Sequence, residues 1–173
     1  QGIDVWYQNE TQLSVAASDE EPGSGVAWTS CRADGEELGN SGKAETVYRV
    51  QKPSREGKAV QVMVYAWDRA GNQAQKSVGL YIDGQAPKAG ITGVIPYQIT
   101  SQPVEIHYTV EEENEVGSAA AKAVRQDPKG TVTELSPEAW TNTGNGEMAM
   151  QRLTEDGIYQ LEMEAFDLSG HSG

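Results

Sequence analysis

The segment Ala66-Trp67-Asp68-Arg69-Ala70-Gly71-Asn72 recurs 99 residues later as Ala165-Phe166-Asp167-Leu168-Ser169-Gly170-His171. Self-similarity at that distance means one domain-sized unit used twice, so the 173 residues read as two small domains. Upstream, Leu13, Val15, Ala17 and the run Asp19-Glu20-Glu21 return 91 to 92 residues on as Val104, Ile106, Tyr108 and Glu111-Glu112-Glu113. The second copy is therefore about eight residues longer in its middle. That surplus falls in Ser136 to Gly146, a stretch rich in Pro, Asn, Thr and Gly that reads as a loop. Between the copies, Asp83-Gly84-Gln85-Ala86-Pro87 has the Gly and Pro of a short linker, which places the domains at 1–85 and 86–173.

Within each copy the apolar period is two. Val60, Val62, Val64 and Ala66 alternate with Gln61, Met63, Tyr65 and Trp67, and Tyr159, Leu161, Met163 and Ala165 alternate with Gln160, Glu162, Glu164 and Phe166. A strand buried on one face has this pattern, with the first-named set of each pair turned inward. Further short runs bounded by turn residues are Ile3 to Tyr7, Leu13 to Ser18, Val26 to Arg32, Glu45 to Val50, Gln75 to Ile82, Ala89 to Ile95, Val104 to Val110, Thr131 to Leu135 and Met148 to Leu153. Ala119 to Val124 has the composition of a helix, but its place in the repeat predicts a strand. Many short strands at even spacing predict an all-β sandwich or barrel.

Composition removes several function classes. Twenty-six Asp and Glu against 13 Lys and Arg give a net charge of -13, with 14 of the acidic residues in the second half. Nucleic acid and anionic membranes both reward clustered Lys and Arg, so neither is an expected partner. No apolar run reaches the length that inserts into a bilayer as a helix. One cysteine, Cys31, excludes an internal disulfide and reads as a small buried residue, and with two histidines it excludes the usual zinc clusters.

Several short pieces carry a family resemblance: Ser18-Asp19 before Gly23-Ser24-Gly25-Val26, the Ala66-to-Asn72 segment, the linker Ile82-Asp83-Gly84-Gln85-Ala86-Pro87, and in the second copy Asp156-Gly157-Ile158-Tyr159 and Ala165 to Gly170. Together they resemble tandem bacterial immunoglobulin-like (Big-type) repeats of secreted and cell-surface proteins. The second copy departs from the pattern in lacking Gly-Ser-Gly-Val and in having His171 where the first has Asn72. The resemblance implies two tandem immunoglobulin-like antiparallel β-sandwich domains and an extracellular, bacterial setting, and it assigns no activity.

Individual residues acquire roles from that arrangement. Asp68 and Asp167 end a strand before a tight turn, where a carboxylate accepts backbone N–H bonds and Gly71 or Gly170 supplies a positive φ. Tyr159, after Gly157-Ile158, stands where a sandwich places its tyrosine corner, and Trp28 stands where such domains bury a Trp on the third strand. After Asn72 the first copy runs on through Gln75 to Ile82, whereas three residues follow Gly170, so the second domain is expected to lack its last strand. Either the chain is cut before that strand or a partner strand completes the sheet.

No nucleophile and base, paired carboxylates or ligand set stands at a specific spacing, so no catalytic residue is expected. His107 falls opposite to the core face, and Gly170-His171-Ser172-Gly173 lacks the second glycine spacing of a hydrolase elbow. Asp19, Glu20 and Glu21, with Glu111, Glu112 and Glu113, follow the same strand of each copy and are candidate oxygen ligands for calcium, or else solvated acidic loops. Met63, Tyr65, Trp67 and Tyr81 fall on the outward face and form a candidate ligand-binding row, for sugar rings or a matrix protein, unless a neighbouring segment covers it. The expected function is that of a non-catalytic spacer presenting another domain. The alternatives are a glycan- or protein-binding adhesin module and the accessory domains of an extracellular hydrolase.

Overall fold

The computed structural model describes residues 5–137, 139–140 and 145–173, with the backbone alone at 139–140. The chain divides into two compact units, Gln1–Gly84 and Gln85–Gly173. All regular structure among the described residues is β.

The first unit holds β1 (Trp6–Gln8), β2 (Thr11–Ala16), β3 (Val26–Ala33), β4 (Glu36–Ser41), β5 (Glu45–Val50), β6 (Val60–Asp68) and β7 (Gln73–Asp83). One sheet runs β1-β7-β6-β3-β4, and β2 pairs with β5 in the other. The alternation anticipated along β6 faces Val60 and Val62 inward, both buried, onto Tyr48 and Val50 of the opposite sheet, with Cys31 and Ala33 of β3 completing the core. Burial pushes the Cys31 thiol above its usual range. Residues Asp19 to Gly25 form a loop that closes on the turn after β6. Gly25 N donates to Asp19 Oδ2 at 2.8 Å, Ala70 N to Ser24 Oγ at 3.1 Å, and Arg69 N to Gly25 O at 3.0 Å. The short motifs of the sequence are thus two halves of one hydrogen-bonded corner.

In the second unit, β8 (Lys88–Thr92), β9 (Val104–Glu111), β10 (Val116–Gln126), β11 (Val132–Leu135), β12 (Ala139–Trp140), β13 (Gly146–Leu153) and β14 (Ile158–Asp167) form two sheets, β12-β13-β9-β8 and β11-β10-β14. This order is that of an immunoglobulin-like sandwich, with β14 at the edge of its sheet among the described residues. Ile106, Tyr108, Ala149 and Leu153 pack against Ala123 of the other sheet, with Tyr159, Leu161 and Met163 partly buried around them. Tyr108 OH donates to Gln151 Oε1 at 2.9 Å within that core. Tyr159 OH donates to Glu155 O at 2.8 Å, which is the corner expected of such a sandwich. The Ala-rich run lies in β10, where pairing with β14 over its length overrides the helix preference of alanine.

Trp28 corrects the sequence reading. It was expected in the core and is 40% exposed, because β3 bulges between Val26 and Trp28. The extra residue shifts the parity, so Thr29, Cys31 and Ala33 face the core while Trp28 and Arg32 face out, with Ser30 on their side of the sheet but buried. Two strands were not anticipated, and a third is shorter than expected. β4 has a single apolar side chain, Leu38, which packs on the core, and becomes a strand by pairing with β3; β12 lies in the supposed loop, and β8 ends at Thr92 short of the expected Ile95. Of the surplus segment Ser136 to Gly146, residues 138 and 141–144 lie outside the described residues, as do Ile3 and Asp4 of the first expected strand.

Candidate functional site

The outward face of β3, β6 and β7 carries the densest aromatic surface of the first unit. Because Val60, Val62, Val64 and Ala66 alternate inward, Met63, Tyr65 and Trp67 share the opposite face. The register then sets Trp28 directly across from Trp67 and Ser30 across from Tyr65. The two indoles stack in parallel, with ring centroids 3.7 Å apart and planes 6° from each other. Tyr65 extends the row at 5.7 Å from Trp67, and the Arg32 guanidinium lies 5.9 Å from the Tyr65 ring centroid, within cation–π range.

Of the four residues expected there, Met63, Tyr65 and Trp67 come together. Tyr81 does not join them. It lies instead against Trp6, with ring centroids 4.9 Å apart and planes tilted by 37°, far along β7 from Gln73, the partner of Trp67. Trp28 belongs to the row and was missed. The charge of Arg32, two pairs of residues along the same strand parity, was the available signal, since an unpaired guanidinium does not face a core.

The acidic runs take a different form. Asp19 is tied to Gly25 N, and Glu20 and Glu21 are exposed. Glu112 is buried and its Oε1 accepts from Asn114 N at 2.9 Å, while Asn145 bonds both the N–H and the C=O of Glu112. Glu111, Glu112 and Glu113 line a depression of about 300 Å³ that also includes Lys88, the cross-strand partner of Glu111. Within neither run do three carboxylates converge to within 4.8 Å of one another among the described residues. One carboxylate of each run, Asp19 and Glu112, is thus engaged by the backbone of its own loop.

The two turn aspartates behave alike. Asp68 Oδ1 accepts from Asn72 N at 2.8 Å and its Oδ2 from Asn72 Nδ2 at 2.7 Å. Asp167 Oδ1 accepts from His171 N at 2.9 Å and from Ser169 Oγ at 2.8 Å. Gly71 and Gly170 have φ of 95° and 92°, a left-handed conformation in which a side chain would be strained. The Asn72 side chain, and then the backbone N–H groups of the turn, hold the Asp68 carboxyl below the usual carboxylate range. A depressed folded-state pKa gives stability that is present above the unfolded value near 3.9 and is lost as pH falls through the folded one. Urea midpoints followed from pH 6 to pH 2.5 are therefore expected to fall less steeply for Asp68→Asn than for the parent chain. Parallel curves for the two proteins would remove this role from Asp68.

Neither histidine is arranged for catalysis. His107 lies between Glu147 at 2.9 Å and Glu105 at 3.3 Å on the outside of its sheet. His171 Nδ1 meets both Asp167 Oδ2 at 3.1 Å and Ser169 Oγ at 2.8 Å, whereas a hydrolytic relay requires its acid and its nucleophile on opposite ring nitrogens.

No family model matches the chain, and no curated protein matches it. Among solved structures, the fibronectin(III)-like modules of CbhA from Clostridium thermocellum are similar over 98% of this chain and 84% of that one, at 8% identity and a TM-score of 0.39. A likeness of that degree bears on neither fold nor function. The class is defined by strand order and cores: an all-β chain of two immunoglobulin-like sandwich units, the first with an aromatic row on its outer face.

Proposed function

We propose that the chain is a pair of non-catalytic β-sandwich modules of an extracellular bacterial protein, spacing and presenting a functional region elsewhere in the same protein. The observation that carries this reading is that each unit closes its own hydrophobic core, around Val60 and Val62 in one and Ile106 and Tyr108 in the other. A unit that folds on its own residues can be strung in series, which is what a spacer requires. The repeat of Ala66 to Asn72 at Ala165 to His171 supports the bacterial surface setting through its resemblance to Big-type repeats. The neighbouring domains of such a protein are the expected partners.

The test is to produce residues 1–84 and 85–173 separately and compare their urea unfolding with that of the full chain. Two cooperative transitions that together reproduce the full curve support serial modules. An isolated first unit that is unfolded overturns them. In the parent protein, exchange of both units for unrelated sandwich modules is expected to leave the presented activity unchanged. Loss of that activity would count against a spacing role. The aromatic row favours a second role for the first unit, developed next.

A further inference from the structure

We propose that the free face of Trp28 is a binding surface for a sugar ring of a neutral polysaccharide. A spacer needs no ligand, so the proposal goes beyond that function and its failure would leave that function standing.

The geometry assigns the surface to one side of one residue. Trp67 covers one face of the Trp28 indole by parallel stacking. On the other side, the register that pairs Thr29 with Ser41 and Ser30 with Asn40 makes Gly42 the next position across from Trp28. A glycine there places no side chain of its own across from Trp28, and a Cβ built on it meets nothing nearer than Ala27 O at 3.9 Å. Trp28 accordingly remains 40% exposed in spite of the stack. The stack holds the ring in place before any ligand arrives, so little rotamer freedom is lost on binding.

The chemistry around the ring selects the ligand. A pyranose has an apolar C–H face that packs on an indole and a rim of hydroxyls that need hydrogen-bonding partners at the edge. Asn40 faces the same side as Ser30, is exposed, and holds one hydrogen bond, from its Nδ2 to Glu37 Oε1 at 3.1 Å. Its amide carries further donor and acceptor capacity within this rim. The charges on this face are Arg32 and its cross-strand partner Glu37, which are opposite in sign. No outward position from Gln61 to Trp67 or from Gln73 to Tyr81 carries a carboxylate, although the chain has 26 acidic residues. A neutral face matches a neutral ligand, and the net charge of -13 repels a polyanion. A protein anchor is disfavoured because its hot spots sit within a water-excluding apolar surround, whereas the open side of Trp28, away from Trp67, is bordered by the exposed Asn40 and by Gly42, which has no side chain.

The full 173-residue chain is run in native gels containing hydroxyethylcellulose, mixed-linkage β-glucan, galactomannan, or the polyanion polygalacturonate. Retardation is expected in at least one neutral polymer. It is expected to weaken at least about tenfold in Trp28→Ala and measurably in Asn40→Ala, the scale of losing an aromatic anchor and a rim contact. Phe166→Ala, at the equivalent of Trp67 in the second unit, is expected to retain it. Far-UV circular dichroism and urea midpoints establish that each variant is folded. Should Trp28→Ala fail to fold, titration of the parent chain with the oligosaccharide of the retarding polymer decides the matter by tryptophan fluorescence. A saturable change supports the site and none overturns it. No retardation in any neutral polymer, retardation in polygalacturonate alone, or full retention by folded Trp28→Ala would each overturn the proposal.

Discussion

Ile106→Ala is expected to destabilise the second unit by about 2–5 kcal/mol while leaving the first untouched. Ile106 has no exposed surface and lies between Tyr108 and Leu153 of its own sheet side and Ala123 across the sandwich, so removal of its side chain leaves a cavity that a close-packed core cannot collapse. Small domains hold about 5–15 kcal/mol in total, so the loss is a large share. The readout separates the units, because Trp6, Trp28 and Trp67 all belong to the first and Trp140 alone to the second. In urea, the far-UV circular dichroism transition of the second unit is expected to move down by about 1–3 M, with m near 1–3 kcal/mol/M. The tryptophan transition, dominated by the first unit, is expected to stay in place. Val15→Ala, at the equivalent position of the first unit, is half-buried and is expected to move the tryptophan transition by less than Ile106→Ala moves its own. A common shift of both transitions would show that the units unfold as one body.

How far the chain could be read before its structure depended on which physical term fixed each element. Burial of one face fixed most of them. Val60 to Ala66 and Tyr159 to Ala165 alternate because one side of each meets a core, and both are strands with the inward set as expected. The turn chemistry was equally local, since an aspartate four residues before Asn72 or His171, with glycine between, can hardly do anything else. Elements made by pairing alone were not legible. Glu36 to Ser41 has no apolar period and is a strand only because β3 lies beside it; the strand at Trp6 to Gln8 overlaps the expected Ile3 to Tyr7, but its parallel pairing with the distant Tyr81 to Asp83 was not legible. The candidate site failed at one residue for a related reason. A single bulge after Val26 reverses the side on which Trp28 lies, and no periodicity argument registers one extra residue. Tyr81 was placed on the correct face but too far along β7, since facing is a matter of parity and proximity a matter of register.

The repeat itself yields the largest expected difference between two matched sets of atoms. Phe166 pairs with Ser172 as Trp67 pairs with Gln73, and Ala165 exchanges hydrogen bonds with Gly173, from N to O at 3.1 Å and back at 3.0 Å. The hairpin after β14 thus begins in the register of the hairpin after β6. In the first unit that register continues through Val64, Val62 and Val60, which face Lys76, Val78 and Leu80. Among the described residues of the second unit nothing continues it, so the N–H groups on the same edge as Ala165, those of Met163, Leu161 and Tyr159, point away from β10 without a strand beside them. The packing agrees, since Val60 and Val62 are buried while Tyr159 and Leu161 at the same positions are only partly so. Amide hydrogen exchange is therefore expected to be at least about a thousandfold faster at Met163, Leu161 and Tyr159 than at Val64, Val62 and Val60, because each 1.4 kcal/mol of opening free energy is a factor of ten. Glu164, Glu162 and Gln160, whose N–H groups face β10, serve as internal controls and are expected to be protected. Equal protection at the three edge amides and their first-unit counterparts would mean that another strand covers β14 in solution. Sedimentation at two concentrations would then show whether a second copy supplies it.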